Sequence, residues 1–117
     1  MRIPEDGFLL RIFIGEGDHW HGKPLFEAIV LKARELHLAG ATVLRGPMGF
    51  GATSRMHTTK ILRLSEDLPL IIEIVDAKEK IDELMPYIDE MVQEGLVTVE
   101  PVKVIKYRAG GNPKPAS

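Results

Sequence analysis

FLLRIFI, the stretch Phe8–Ile14, decides how this chain folds. It is a dense run of aromatic and aliphatic residues that ends at Gly15, which is typical of a β-strand. The run Leu70–Val75 has the same character. Both runs are apolar at nearly every position, as are strands that are covered on both faces. The two runs therefore predict strands that are covered on both faces of a sheet.

A helix and a strand are predicted between these two runs. Pro24 suits the first position of the helix, apolar residues recur at helical spacing up to Leu36, and Gly40 is a suitable stop. Thr42–Leu44 begins the strand. Closely spaced glycines then predict a long loop that reaches about Thr59.

A second helix is predicted after the second run. Asp76 and Glu79 have the spacing of a capping box. Pro86 lies inside the apolar stripe of this helix and is expected to kink or divide it, because its ring clashes with the preceding turn. Ile61–Leu64 is also strand-like, and the valines and isoleucine within 97–105 predict one or two closing strands.

The order βαββαβ predicts the α+β class: a ferredoxin-like (split βαβ) antiparallel sheet with two helices on one face and a long loop after the second strand. We assign residues 1–108 to one such domain and residues 109–117, rich in Gly and Pro, to a disordered tail. Two helices cover only one side of a sheet. The open face is therefore expected to pack against other copies of the chain, which predicts an oligomer.

Composition excludes several classes of protein. The 117 residues include no cysteine, so a disulfide framework, a zinc–thiolate site and a cysteine nucleophile are all excluded. No apolar run approaches the ~20 residues that cross a bilayer, and the first residues do not resemble a secretion signal. We expect a cytoplasmic protein that is not embedded in a membrane.

The net charge of −2 conceals an uneven distribution. Residues 36–65 and 101–117 contain eight bases and no acid, so the remainder carries −10. This asymmetry favours an anionic partner, although strand and loop segments also disfavour acids for structural reasons. The bases lack the interleaved aromatic residues of a nucleic-acid surface, so we expect no nucleic-acid partner.

The glycine-rich stretch after the second strand is the first candidate binding site. Glycines let a ligand approach the backbone closely, and successive exposed amides can hold an anion; an ordinary flexible loop is the alternative. The candidate residues of this stretch are Arg45, Gly46, Gly49, Gly51, Arg55 and His57.

Two shorter segments are further candidates. Lys106 and Arg108 would project to one face of the last strand, where two cations suit a phosphate or simply protect a sheet edge. His19 and His21 are candidate metal ligands, although two imidazoles fall short of the three or four ligands a metal usually needs, and a polar surface loop is the alternative. No serine has the context of a nucleophile elbow, so we expect no enzyme.

Several motifs in order resemble a widespread prokaryotic family, the PII-like domain of unknown function number one hundred and ninety. The resemblance extends from about Phe8 to Arg108. Its motifs are Gly22–Glu27, Gly40–Val43 with Arg45–Gly46, Gly49–Gly51, His57, Leu64–Pro69, and Glu73–Asp76 with Lys80–Ile81.

More remotely the chain is similar to the PII nitrogen-signalling proteins, trimers that bind a nucleotide between subunits and carry a long T-loop. The resemblance implies that Thr42 lies on the adenine side, that Gly49-Phe50-Gly51 forms the base of the T-loop, and that Lys106 and Arg108 reach the phosphates from the adjacent subunit.

What this similarity implies is a non-enzymatic regulatory homotrimer. It requires no cofactor, binds an adenine nucleotide as effector, and presents Gly46–Thr59 to a partner protein such as a membrane transporter or an enzyme. The phosphate loop of PII is absent, which favours an AMP-type nucleotide over ATP. The alternatives are a metal-responsive trimer similar to the divalent-cation tolerance proteins and a ligand-free structural subunit.

Overall fold

A computed structural model describes residues 5–46, 48–50, 56–58 and 68–108 of the chain. The elements of this part are, in chain order, β1 (Asp6–Gly15), β2 (His19–Trp20), β3 (Lys23–Pro24), α1 (Leu25–Glu35), β4 (Thr42–Arg45), β5 (Met48–Phe50), β6 (Met56–Thr58), β7 (Pro69–Asp76), α2 (Lys78–Met91) and β8 (Leu96–Lys103). The predicted strand at Ile61–Leu64 and the predicted tail at 109–117 lie outside the described residues.

Four strands form one antiparallel sheet in the order β4-β7-β1-β8. The two apolar runs are its central strands, β1 and β7, and Phe8–Gly15 of β1 pairs with the whole of β7, with Arg11 opposite Glu73. The first and last strands of the βαββαβ order are neighbours, and the two strands that follow the helices lie at the edges. The predicted ferredoxin-like α+β fold is confirmed.

One face of the sheet carries both helices and the hydrophobic core. Alternate residues of β1 and β7 point to this face, as the two-residue period of a strand requires. Leu10, Ile12, Ile72 and Leu84 are completely buried. The remaining core residues are Ile14, Leu25, Ala28, Ile29, Ala33, Leu38, Leu70, Ile74, Ile81, Ile88 and Met91.

The other face of the sheet is also apolar, and neither described helix covers it. Its central residues from β1 and β7 are only half-buried: Leu9, Phe13, Ile71 and Val75. At its middle the Arg11 Nε donates to Glu73 Oε2 at 2.9 Å, and this hydrogen bond raises the pKa of the Arg11 guanidinium. We call this surface the open face. It explains why both central strands are apolar at nearly every position.

The predicted boundaries of α1 are wrong by a few residues. Pro24 is the N-cap and not the first helical residue, and the helix ends at Glu35, well before Gly40. The stop is His37, whose φ of +65° is left-handed. The His37 N–H donates to the Arg34 carbonyl at 3.0 Å and the following amide, of buried Leu38, donates to Ala33 at 3.0 Å. Burying this leucine sets the end of the helix through a Schellman motif.

Two predictions for α2 are corrected. Of the two effects expected of Pro86, division of the helix is wrong, because the helix is continuous over Lys78–Met91; Pro86 lies on its exposed side. Asp76 is not the N-cap of a capping box: Ala77 is the N-cap and makes no side-chain cap bond. Instead Asp76 is 0% exposed, and its two oxygens accept from the Ala77 amide at 2.7 Å and the Ala39 amide at 2.8 Å.

Two segments predicted as loops contain short antiparallel ribbons. Between β1 and α1, β2 pairs with β3. Within Gly46–Thr59, β5 pairs with β6. The left-handed φ values of His21 (+49°) and Gly22 (+84°) make the first ribbon a two-residue hairpin of the type I′ kind.

Candidate functional site

The edge strand β4 carries the first group of candidate residues. Thr42 is its exposed first residue and pairs with Glu73, which places it on the open face beside the Arg11–Glu73 pair. Arg45 is its last residue and pairs with Leu70, which places it on the helix-bearing face. Consecutive strand residues alternate between faces, so Thr42 and Arg45, three residues apart, lie on opposite faces of this edge.

Arg45 is held by a carboxylate that sequence reasoning missed. Its Nη2 lies 2.5 Å from Oε2 of Glu16, the residue that follows β1. Glu16 is itself anchored, because its amide donates to the Leu68 carbonyl at 2.8 Å. The second carboxylate oxygen of Glu16 is buried and has no hydrogen-bond partner among the described residues. Much of the Arg45 side chain, 57%, is exposed.

Gly46 continues the edge immediately after Arg45. Its amide donates to the Pro69 carbonyl at 2.8 Å, and a Cβ at this position would lie 2.9 Å from Pro69 Cγ. Only glycine therefore allows the chain to pass this close to the start of β7. The contact fixes the point at which the glycine-rich segment leaves the sheet.

The β5–β6 ribbon contains three more candidates. Gly49 pairs with His57 and Phe50 pairs with Met56. The ribbon therefore brings Gly49 and His57 together, as neighbours across two strands. Gly51 and Arg55 lie outside the described residues.

Lys106 and Arg108 are not in a strand, contrary to the prediction. The strand β8 ends at Lys103, and residues 104–108 have no regular structure. The physical reason is that β8 pairs only with β1, whose first residue is Asp6, opposite Lys103. One further backbone bond, from the Val104 amide to the Glu5 carbonyl, continues the contact. Strand alternation therefore does not bring Lys106 and Arg108 to one face, and both are exposed.

Within one chain the two groups of candidates are far apart. Thr42 and Arg45 belong to β4 and the Lys106–Arg108 segment follows β8, and these strands are the opposite edges of the sheet. Three interstrand spacings, about 14 Å, separate the edges. The groups also lie at opposite ends of the sheet, because Arg45 is in register through Leu70 with Ile14, whereas Lys103 is in register with Asp6, about 26 Å along β1. A single subunit does not bring together the phosphate-binding site predicted from both segments.

His19 and His21 lie on the β2–β3 hairpin beside the carboxyl end of α2. Within the described part of the chain, no group of three or more His, Cys, Asp or Glu side chains is placed to hold a metal ion. His19 Nδ1 is 2.7 Å from the Gly17 carbonyl oxygen, and the His21 ring stacks on Trp20 with 4.1 Å between ring centroids. These contacts do not support His19 and His21 as candidate metal ligands.

A family model covers most of the chain. It matches residues 7–104 and describes the family DUF190 as "Uncharacterized ACR". The chain belongs to the DUF190 family. Its similarity to a UPF0166 protein of Aquifex aeolicus is 39% identity over 97 residues, 83% of this chain and 91% of that protein. A UPF0166 protein of Methanocaldococcus jannaschii is 33% identical over 99 residues, 84% of this chain and 91% of the relative. The resemblance to this family, inferred from the motifs, is confirmed.

Solved structures of a PII-like protein have the same fold. CPII from Thiomonas intermedia K12, described as a nitrogen regulatory PII-like protein bound to ADP, AMP and bicarbonate, has a TM-score of 0.63 and 17% identity, covering 86% of this chain and 90% of CPII. A second CPII structure, with ADP and bicarbonate, has a TM-score of 0.56 and 19% identity, with the same coverage. DUF190 and CPII therefore share a PII-like fold. No helix of the described residues is long and apolar enough to span a membrane.

Proposed function

We propose that this DUF190 protein is a PII-like regulator that binds an adenine nucleotide between subunits of a homotrimer. The observation that carries the proposal is the separation of the basic candidates. Arg45 and Lys106–Arg108 lie at opposite edges of one sheet, so a second copy is needed to bring both groups to one anion. The adenine nucleotides bound by CPII, which has the same fold, support the choice of ligand.

The open face supports the association of subunits. It places half-buried Leu9, Phe13, Ile71 and Val75 on one surface, around a hydrogen-bonded Arg11–Glu73 pair that has no unpaired charge. A contiguous apolar surface of this kind is typical of an interface. A copy packed on it would remove these side chains from water. A three-fold arrangement repeats the same contact and closes it, which avoids open-ended assembly.

The connection between α2 and β8 supports a nucleotide with few phosphates. It consists of residues 92–95, and it contains one carboxylate, Glu94, and no Lys or Arg. This connection supplies no cation to a phosphate chain, and a triphosphate has more negative charge to neutralise than a monophosphate. We therefore favour AMP over ATP. The regulatory role, with Gly46–Thr59 presented to a transporter or an enzyme, and the cytoplasmic location remain predictions from the sequence.

Subunit mixing with titration calorimetry tests the proposal. Purified protein is titrated with AMP, ADP, ATP and cyclic AMP, and its mass is measured by light scattering. We expect a trimer and saturable heat with AMP. Arg45→Gln and the double variant Lys106→Gln/Arg108→Gln are each expected to weaken binding by about tenfold or more, because each removes charge-assisted hydrogen bonds. Lys78→Gln, on the exposed side of α2, is the matched control and should bind normally.

Mixing the two defective variants after joint refolding distinguishes a shared site from a site within one chain. In randomly mixed trimers, each site built from Arg45 of one subunit and Lys106–Arg108 of its neighbour needs the right variant on both sides. Roughly a quarter of the intersubunit sites are therefore intact. A site within one chain is never restored. Absence of heat from all four nucleotides would refute the nucleotide proposal, and absence of restoration on mixing would refute the shared site.

A further inference from the structure

A cleft of about 220 Å³ lies between the β2–β3 hairpin and the carboxyl end of α2, and its lining includes no residue of β4 or of the Lys106–Arg108 segment. Its floor is apolar, formed by Leu25 and Met91, which are 3% and 7% exposed. The stacked rings of Trp20 and His21 form one wall, with an interplanar angle of 13°. The proposed nucleotide site uses none of these side chains.

The acidic and basic side chains of the cleft favour positive charge. Asp18 and Glu94 supply two carboxylates, and the residues that line the cleft include no Lys or Arg. The last turn of α2, which contributes Met91, contains no basic residue to neutralise the negative end of the helix dipole. An anion such as a nucleotide phosphate is therefore disfavoured here.

His19 adds a hydrogen-bond acceptor with a defined orientation. Its Nδ1 lies 2.7 Å from the Gly17 carbonyl oxygen, which can only accept, so Nδ1 carries the proton in the neutral ring. The lone pair is then on Nε2, which can accept a hydrogen bond from a ligand. A ligand with N–H donors and a positive charge satisfies both this nitrogen and the carboxylates.

The hairpin turn holds His21 in an unusual conformation. A type I′ turn requires positive φ at both central residues and favours Asn-Gly, whereas this chain has His21-Gly22 at φ +49° and +84°. The His21 ring stacks on Trp20. The stacked rings of Trp20 and His21 present a flat surface as one wall of the cleft.

We propose that this cleft binds a small alkylammonium ion. The ammonium group contacts the carboxylates of Asp18 and Glu94 and the Nε2 of His19, and the alkyl chain lies against Leu25, Met91 and the Trp20–His21 wall. The volume accommodates a chain of a few carbons. A metal ion would need three ligands placed together, which the described residues do not provide.

Tryptophan fluorescence reports directly on this cleft, because Trp20 is the only tryptophan in the chain. The full-length protein is titrated at neutral pH with n-butylammonium, with tetramethylammonium (charge without N–H donors), with 1-butanol (alkyl chain without charge) and with Zn²⁺. We expect a saturable change in Trp20 emission with n-butylammonium, and a response at least several-fold weaker with the other three probes. Glu94→Gln should weaken n-butylammonium binding by about threefold to fivefold.

Glu90→Gln is the matched control, because it removes an exposed carboxylate of α2 that does not line the cleft. It should bind n-butylammonium as the unsubstituted protein does. A linear, non-saturating response, an equal response to 1-butanol or tetramethylammonium, or an equal loss in Glu90→Gln would each overturn the proposal. Saturable binding of Zn²⁺ alone would overturn it in favour of a metal. None of these outcomes depends on nucleotide binding.

Discussion

Substituting Asp76 tests how the loop before β4 is held in place. Asp76 is buried at 0% exposure, and it is the acceptor for the amides of Ala39 and Ala77 at 2.8 and 2.7 Å. One bond anchors the start of α2, and the other anchors the α1–β4 loop, three residues before Thr42. A second contact joins the same two segments, since Lys80 Nζ donates to the Leu36 carbonyl at 2.6 Å.

We expect Asp76→Ala to lower the free energy of unfolding by about 2–4 kcal/mol. The estimate follows from two amides left without an acceptor in a buried place, at about 1–3 kcal/mol each, reduced where water reaches the amide at the helix end. Asp76→Asn keeps one acceptor oxygen and directs its NH₂ group at the other amide. We therefore expect Asn to cost about half as much as Ala, roughly 1–2 kcal/mol.

Urea denaturation followed by circular dichroism measures both effects at one protein concentration, because association would couple stability to concentration. Asp89→Ala is the matched control. It removes the same carboxylate from an exposed position of α2, and the urea midpoint should stay the same or rise slightly, because alanine has the higher helix propensity. If Asp76→Ala unfolds within about 0.5 kcal/mol of the unsubstituted protein, or if Asn is as costly as Ala, the reasoning from the two bonds fails.

Two further substitutions test the connections around α2 by the same urea assay. Gly95→Ala should lower the free energy of unfolding by about 1–3 kcal/mol, because its Cβ would lie 2.6 Å from the Phe13 carbonyl oxygen, and a neutral result would mean that the α2–β8 connection moves aside freely. Pro86→Ala should raise the free energy of unfolding by about 1 kcal/mol, because the restored amide can donate to the Asp82 carbonyl. The greater freedom of the unfolded chain offsets part of this gain. An unchanged urea midpoint would show that Pro86 does not strain the helix.

Local patterns were sufficient to predict the central elements of this fold. Phe8–Ile14 and Leu70–Val75 were predictable as strands because they are continuous apolar runs, and α1 and α2 were predictable from apolar residues at helical spacing. The boundaries that failed depend on distant residues. The chain turns at His37 and not at Gly40 because Leu38 is buried in the core, a contact that no local pattern at Gly40 reveals.

The end of β8 illustrates the same limit. Alternation alone would extend the strand through Lys106 and Arg108, but a strand lasts only as long as its partner, and β1 begins at Asp6. Glu16 shows a second kind of failure, because it binds Arg45 across 29 positions of sequence and belongs to no recognisable motif. A carboxylate after a strand gives no signal of its eventual partner.

The candidate nucleotide site depends on more than the fold of one chain. Sequence identified basic residues near Arg45 and at Lys106–Arg108. The sheet order and register then placed Arg45 and the end of β8 at opposite edges and opposite ends of the sheet. Neither the pattern nor the subunit brings them together. If they act on one ligand, the site is a property of the assembly, and its affinity must depend on how the open faces pack.

Substitutions at Phe13 or Ile71, which touch no nucleotide in this proposal, should then weaken nucleotide binding in proportion to the loss of association. A substitution that abolished association and left binding intact would place the whole site within a single chain.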